Sequence, residues 1–309
     1  MVEMFQLLIG LVVLLLGGEF LVRGSISFAK AFKIPPLVIG LTIVSFGTSA
    51  PELLVSIQAA LSGNPDLAIG NVVGSNIANL ALVLGLTVLI LPMVVDKTSL
   101  LVNWLVMIFA TLMFCIFSYT NQAVVFWEGV VLFSLLIIYL LYFFFNLKSN
   151  NSNHDSQDQK KDNTWVALIY FIAGSAGLYY GSKMLVSSAV IIAIDVLGLS
   201  EAVVGATIVA FGTSLPELVA SIVAAFRKQP GISIGNLIGS NIFNLLAVIG
   251  ITSIITPISI FETFINFDFY WLIIISIIIG PILLFFNKIG RVIGSFLLLF
   301  YLAYIILIL

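Results

Sequence analysis

The chain has 309 residues, 61% of them hydrophobic and only 8% charged, with a formal net charge of -2. That composition excludes a soluble domain of this size, and apolar stretches of about twenty residues recurring from end to end point to an all-α integral membrane protein. A single cysteine, Cys115, excludes an intrachain disulfide or a cysteine-built metal cluster and reads as filler on a helix surface.

Hydropathy and turn signals predict ten transmembrane helices, over 4–22, 36–61, 66–91, 100–118, 123–147, 164–187, 200–226, 231–256, 268–286 and 291–309. The first span lacks a basic start and a small-residue cleavage site, so it reads as retained. Glu19 and Arg23 near its end have the spacing of a local ion pair. Its glycines, with Gly174, Gly177 and Gly181 of the sixth span, would let two helices approach closely. Trp104, Trp127, Trp165 and Trp271 fall near predicted span ends, as an interfacial belt requires.

The polar segment Lys148 to Asn163 reads as a flexible linker and makes a solvated residue of His154. It divides the chain into a five-helix repeat over 1–147, a linker over 148–163 and a second five-helix repeat over 164–309. Five spans is an odd number, so the second half enters the membrane the other way round, giving two inverted repeats. With both termini outside and the linker in the cytoplasm, every one of the 12 basic residues except Lys183 falls on the cytoplasmic side.

Within this frame the segment from Val38 to Pro92 returns as Val203 to Pro257, 165 residues later and without a gap, with about half of the positions identical. GTSAPE becomes GTSLPE, and GNVVGSNIAN becomes GNLIGSNIFN. Of the 14 acidic residues, only Glu52 and Glu217 fall in the middle of long apolar spans, and no lysine or arginine lies at their depth. An ionised acid there costs about 2.5–3.5 kcal/mol on the milder insertion scales, so the missing partner is a proton or a mobile cation.

The surroundings favour a cation. Ser45, Thr48, Ser49 and Ser56 lie near the face of Glu52. Pro51 and Pro216 each lack an N–H, so the helix is expected to open near Gly47 and near Gly212 and to free carbonyl oxygens. Asn71, Ser75 and Asn79 form a stripe on the next span beside Gly70 and Gly74; Asn236, Ser240 and Asn244 repeat it beside Gly235 and Gly239. Oxygen ligands without sulfur or imidazole suit Ca²⁺ or Na⁺.

At these motifs the chain resembles the cation/calcium exchanger superfamily, most closely its prokaryotic sodium/calcium exchanger branch. The resemblance implies a non-enzymatic antiporter of the cell membrane that exchanges Na⁺ for Ca²⁺ by alternating access, at about three Na⁺ per Ca²⁺, with spans one and six sliding across the bundle. It implies no cofactor, no nucleic acid and no obligatory protein partner; the lipid bilayer and the two ions are what the protein meets. By matching motif positions, Ca²⁺ is held by the carboxylates of Glu52 and Glu217 and backbone oxygens of Thr48 and Thr213. Na⁺ would use those groups with Ser75, Ser240 and the carbonyls of Ser45 and Ala210. Ser49 and Ser214 line the site, and Asn79 and Asn244 complete its middle. Potassium-dependent relatives carry aspartate where this chain has Asn244, and the proton-coupled branch has a glutamate within the GN segment that is absent here. Proton/calcium and potassium-dependent exchange are therefore the alternatives, and a cation channel is the reading from another class.

Overall fold

The computed structural model describes residues 2–94, 97–150, 164–198, 210–286 and 288–308. The expectations for His154 and for the first half of the seventh span lie outside the described residues. In chain order the helices are α1 (Val2–Phe32), α2 (Pro36–Leu61), α3 (Pro65–Ile90), α4 (Lys97–Asn121) and α5 (Phe126–Asn150). They continue with α6 (Thr164–Val196), α7 (Ala210–Thr213 and Leu215–Phe226, with Ser214 between them), α8 (Pro230–Ile255), α9 (Phe264–Phe285) and α10 (Arg291–Ile308). Nine helices among the described residues are long and apolar enough to cross a membrane.

α1 runs 31 residues, well past its predicted end. At about 1.5 Å per residue it spans about 46 Å, more than the apolar thickness of a bilayer. Hydropathy drops at Arg23, but backbone hydrogen bonding has no reason to stop there. The helix ends instead where Lys33 turns left-handed, with φ at 55°. α6 likewise continues to Val196 and ends before Gly198, whose φ is 68°. Lys33 and Gly198 are counterparts 165 apart, as are Gly63 (φ 76°) and Lys228 (φ 57°), so the duplication extends to the helix caps.

Four short strands, which hydropathy did not indicate, reveal how the halves are arranged. β1 (Met93–Val94) pairs antiparallel with β4 (Lys288–Ile289), and β2 (Ala123–Val124) pairs with β3 (Ile258–Ser259). β1 and β2 lie at opposite ends of α4, yet β3 is the sequence counterpart of β1. Each strand therefore has its repeat partner at the opposite end of the bundle, which is what an inverted repeat requires.

α3 and α8 form the centre, with 72% and 83% of their apolar windows buried, against 22% for α10. The outer helices present large apolar side chains outward, among them Phe5, Leu15, Phe145, Ile169, Val292 and Leu302. α1 and α6 pack antiparallel through small residues. A Cβ on Gly17 would fall 2.7 Å from the carbonyl carbon of Gly177, and one on Gly181 would fall 2.7 Å from the Cα of Leu14. Only glycine permits that backbone approach. The tryptophan expectation is half right. Trp127 and Trp165 are exposed, but Trp104 donates to the Ser276 carbonyl at 2.8 Å and Trp271 packs against Phe300 and Tyr304.

Candidate cation site

The site lies where α2 and α3 of the first half meet α7 and α8 of the second. α2 does not open at Gly47 as Pro51 suggested; it is helical through Ser45–Leu61. The break lies one turn earlier, at Gly40–Val44, where the Ser45 N–H reaches the Gly40 carbonyl in a widened turn. In the second copy the expectation holds: the helix is interrupted at Ser214, beside Gly212 and just before Pro216. α3 and α8 carry widened turns beginning at Ala78 and Asn244, in which Leu84 N–H bonds Asn79 O and Ile249 N–H bonds Asn244 O. Such turns in membrane helices collect at functional sites because they rotate side chains and redirect carbonyls.

Within each half, an asparagine ties the glutamate-bearing helix to its neighbour. Asn71 Nδ2 donates to the Glu52 carbonyl at 3.2 Å and to Ser56 Oγ at 3.0 Å. Asn236 Nδ2 does the same to the Glu217 carbonyl at 3.4 Å and to Ser221 Oγ at 3.1 Å. Between the halves, Thr48 Oγ1 lies 3.1 Å from Asn236 Oδ1 and 3.2 Å from Ser240 Oγ, while Ser75 Oγ and Thr213 Oγ1 are 3.5 Å apart. Ser45 donates its hydroxyl to the Gly40 carbonyl at 2.6 Å and reaches the Asn236 carbonyl at 3.2 Å. Ala210 opens the first turn of α7.

Glu52, Glu217, Ser45, Thr48, Ser49, Ser214, Ser75, Ser240, Asn79 and Asn244 are all buried; Thr213 is half-buried. Glu52 and Glu217 lie close enough to each other to interact, and Thr48 and Ser49 lie beside Glu217. Among the described residues, none of the four carboxylate oxygens has a hydrogen-bond partner at bonding distance and angle, and neither do Ser49 Oγ, Ser214 Oγ, Asn79 Oδ1 and Asn244 Oδ1.

Other buried acids provide a control that the sequence did not. Glu128 accepts from the Val125 N–H at 2.9 Å, and Asp268 accepts from the Tyr304 hydroxyl at 2.7 Å; both side chains are buried. Glu128 lies in the first turn of α5 and Asp268 near the start of α9, at span edges rather than mid-span. Among the described residues, Glu52 and Glu217 are distinguished by having no donor at hydrogen-bonding distance and angle, the nearest candidates being the Thr48 and Ser49 hydroxyls beside Glu217. Among the described residues, the ion pairs join Glu19 to Arg23 (2.5 Å) and to Arg227, away from the site. A buried carboxylate without donor or counter-charge is far too costly to keep ionised, so the cluster demands a positive guest.

Two site residues escaped the sequence reading. Asn76 and Asn241 join Asn79 and Asn244 in a ring across the centre of α3 and α8. They lie one position off the stripe Asn71, Ser75, Asn79, but their repetition in both GSN segments was a usable signal.

A mostly helical membrane bundle, with interrupted helices and widened turns meeting around buried oxygen-bearing side chains, has the architecture of an ion transporter. The chain belongs to the sodium/calcium exchanger protein family, whose model matches residues 2–145 and 166–309. It is 36% identical over 309 residues to the putative antiporter CaxA of Alkalimonas amylolytica, covering 96% of this chain and 95% of that one. To the sodium/calcium exchanger MaX1 of Methanosarcina acetivorans it is 31% identical over 346 residues, covering 99% and 98%. The solved structure of the sodium-calcium exchanger NCX_Mj, soaked with Na⁺ and Ca²⁺, superposes with a TM-score of 0.84 at 33% identity, covering 99% of this chain and 98% of that one.

Proposed function

We propose that this protein exchanges Na⁺ for Ca²⁺ by alternating access, with one shared site in which Glu52 and Glu217 hold the ions, at about three Na⁺ per Ca²⁺. The observation that carries the reading is the contrast among buried acids: Glu128 and Asp268 accept hydrogen bonds from protein donors, and among the described residues Glu52 and Glu217 accept none that meet bonding geometry. Two carboxylates neutralise one Ca²⁺, and the surrounding hydroxyl, amide and carbonyl oxygens complete a hard-cation shell. Thr48 and Thr213 contribute backbone oxygens, and Ser75, Ser240, Ser45 and Ala210 add places for Na⁺. Ser49, Ser214, Asn79 and Asn244 line the middle. Because both ions need the same carboxylates, occupancy by one excludes the other, which couples their movements.

Asn244 brings no third charge and the GN segments bring no glutamate, so sodium drives exchange without potassium or a proton gradient. The protein lies in the cell membrane with both termini outside and the linker, 148–163, in the cytoplasm. The test is calcium uptake into proteoliposomes under an imposed sodium gradient. Uptake against the calcium gradient, unaffected by protonophore and independent of potassium, is expected. Uptake that follows only a proton gradient would assign the coupling to protons, and passive equilibration alone would make the protein a channel.

A further inference from the structure

The four central asparagines are arranged crosswise. Asn76 Nδ2 donates to the backbone carbonyl of Asn241 at 3.3 Å, and Asn241 Nδ2 returns the bond to the backbone carbonyl of Asn76 at 3.1 Å. A backbone carbonyl can only accept, so both side-chain NH₂ groups are committed and each Oδ1 is left facing the opposite way, as an acceptor. Asn244 Nδ2 meets Asn76 Oδ1 at 3.1 Å, and Asn79 Nδ2 meets Asn241 Oδ1 at 3.1 Å. Turning either outer amide over would set oxygen against oxygen. The remaining atoms, Asn79 Oδ1 and Asn244 Oδ1, are buried and have no partner among the described residues. Two carbonyl oxygens, and no NH₂ group, are thereby held available to a cation.

We propose that Asn76 and Asn241 are positioning residues that fix the amides of Asn79 and Asn244 with their oxygens toward the ion, each acting on the half it does not belong to. Freed of this lock, an asparagine amide rotates and offers its NH₂ dipole with the wrong sign, so a ligand becomes a repulsive group without any loss of volume. The crosswise pattern also joins α3 to α8 at their widened turns, so each half orients the other's ligand. This inference rests on the shared cation site proposed above and deepens it.

The test is a set of double-mutant cycles read by equilibrium Ca²⁺ binding to the purified full chain in detergent. Asn76→Leu keeps the number and branching of the side-chain heavy atoms and removes the acceptor. It is expected to raise the Ca²⁺ Kd about tenfold in the wild-type background. In an Asn244→Ala background, where the oriented amide is already gone, the same change should raise Kd less than about twofold. In an Asn79→Ala background it should again cost about tenfold, because Asn79 is oriented by Asn241. A merely structural role would not discriminate between these backgrounds. Equal losses in all three, or stronger coupling to Asn79 than to Asn244, would overturn the proposal. Should Asn76→Leu fail to fold, the mirror cycle of Asn241→Leu against Asn79→Ala and Asn244→Ala carries the test on the same criterion. Binding does not depend on what drives transport, so calcium binding without sodium-driven uptake would sink the proposed exchange alone. An additive cycle in an active exchanger would sink only this inference, and a wild type that binds no Ca²⁺ would sink both.

Discussion

Thr48 and Thr213 are the same residue in the same motif, 165 positions apart, and they are packed differently. Thr48 is fully buried, close to Asn236 and Ser240, and the helix before it lies tightly on α8: a Cβ on Gly235 would fall 3.1 Å from the Cα of Gly40. Thr213 is half-buried, with its hydroxyl 3.5 Å from that of Ser75. Nearly identical motifs can therefore sit in two packings. In an inverted repeat this is the expected mark of alternation, because exchanging the two packings turns one access state into the other.

The largest expected effects fall where the halves are chemically equal. Glu52→Gln and Glu217→Gln should each abolish calcium transport, weakening Ca²⁺ binding more than about a hundredfold, since removing one partner of a buried charged pair costs about 3–5 kcal/mol. Survival of transport in one variant only would show that the halves are unequal at the ion as well as around it.

Next in size is a glycine substitution where α2 meets α8. Gly235→Ala puts a methyl 3.0 Å from the Leu41 backbone nitrogen and should destabilise the protein by about 1–3 kcal/mol in a thermal melt. Unchanged stability would mean that this contact has room for a methyl group.

A smaller effect is expected at the end of α7. Arg227 reaches Glu19 of α1, with a second bond at 3.2 Å to Oε2, while the counterparts of these residues are Ser62 and Met184. Among the described residues, this ionic tie of α1 to the end of α7 has no counterpart between α6 and α2. Arg227→Gln should change the ratio of calcium KM values measured from the two membrane faces by no more than about fivefold, because the pair is partly exposed. An identical ratio in the variant would leave the tie with no part in the balance between states.

The smallest effect concerns the caps. Lys228 holds the left-handed conformation that glycine supplies at Gly63. Lys228→Gly should raise Tm by about 2 °C, and Gly63→Ala should lower it by a similar amount. A fall with Lys228→Gly would show that the side chain contributes more than its backbone strain costs.

The parts of this protein legible in its sequence are those that repeat or that hydropathy marks. The offset of 165 led to the glutamates, the polar stripes and the inverted plan, and Thr48 with Asn236 and Ser240, and Ser75 with Thr213, approach each other across the two halves. Glu128 and Asp268 were not legible as buried, because each lies at a span edge and its enclosure comes from the tertiary packing of α5 and α10. Pro51 predicts an opening near Gly47, whereas the helix is unbroken there and widens at Gly40–Val44. Neighbouring helices evidently support the backbone there. Asn76 and Asn241 were passed over because an i, i+4 stripe describes one helix face, whereas their partners lie on the other half of the chain.

The central claim is that two half-sites make one site, and the stoichiometry of calcium binding tests it most directly. Equilibrium dialysis of the purified protein should find one Ca²⁺ per chain, lost in Glu52→Gln and equally in Glu217→Gln, and displaced by Na⁺ with a Hill coefficient above one. Two Ca²⁺ per chain, with one retained in each variant, would mean that each repeat binds its own ion and would contradict the shared site.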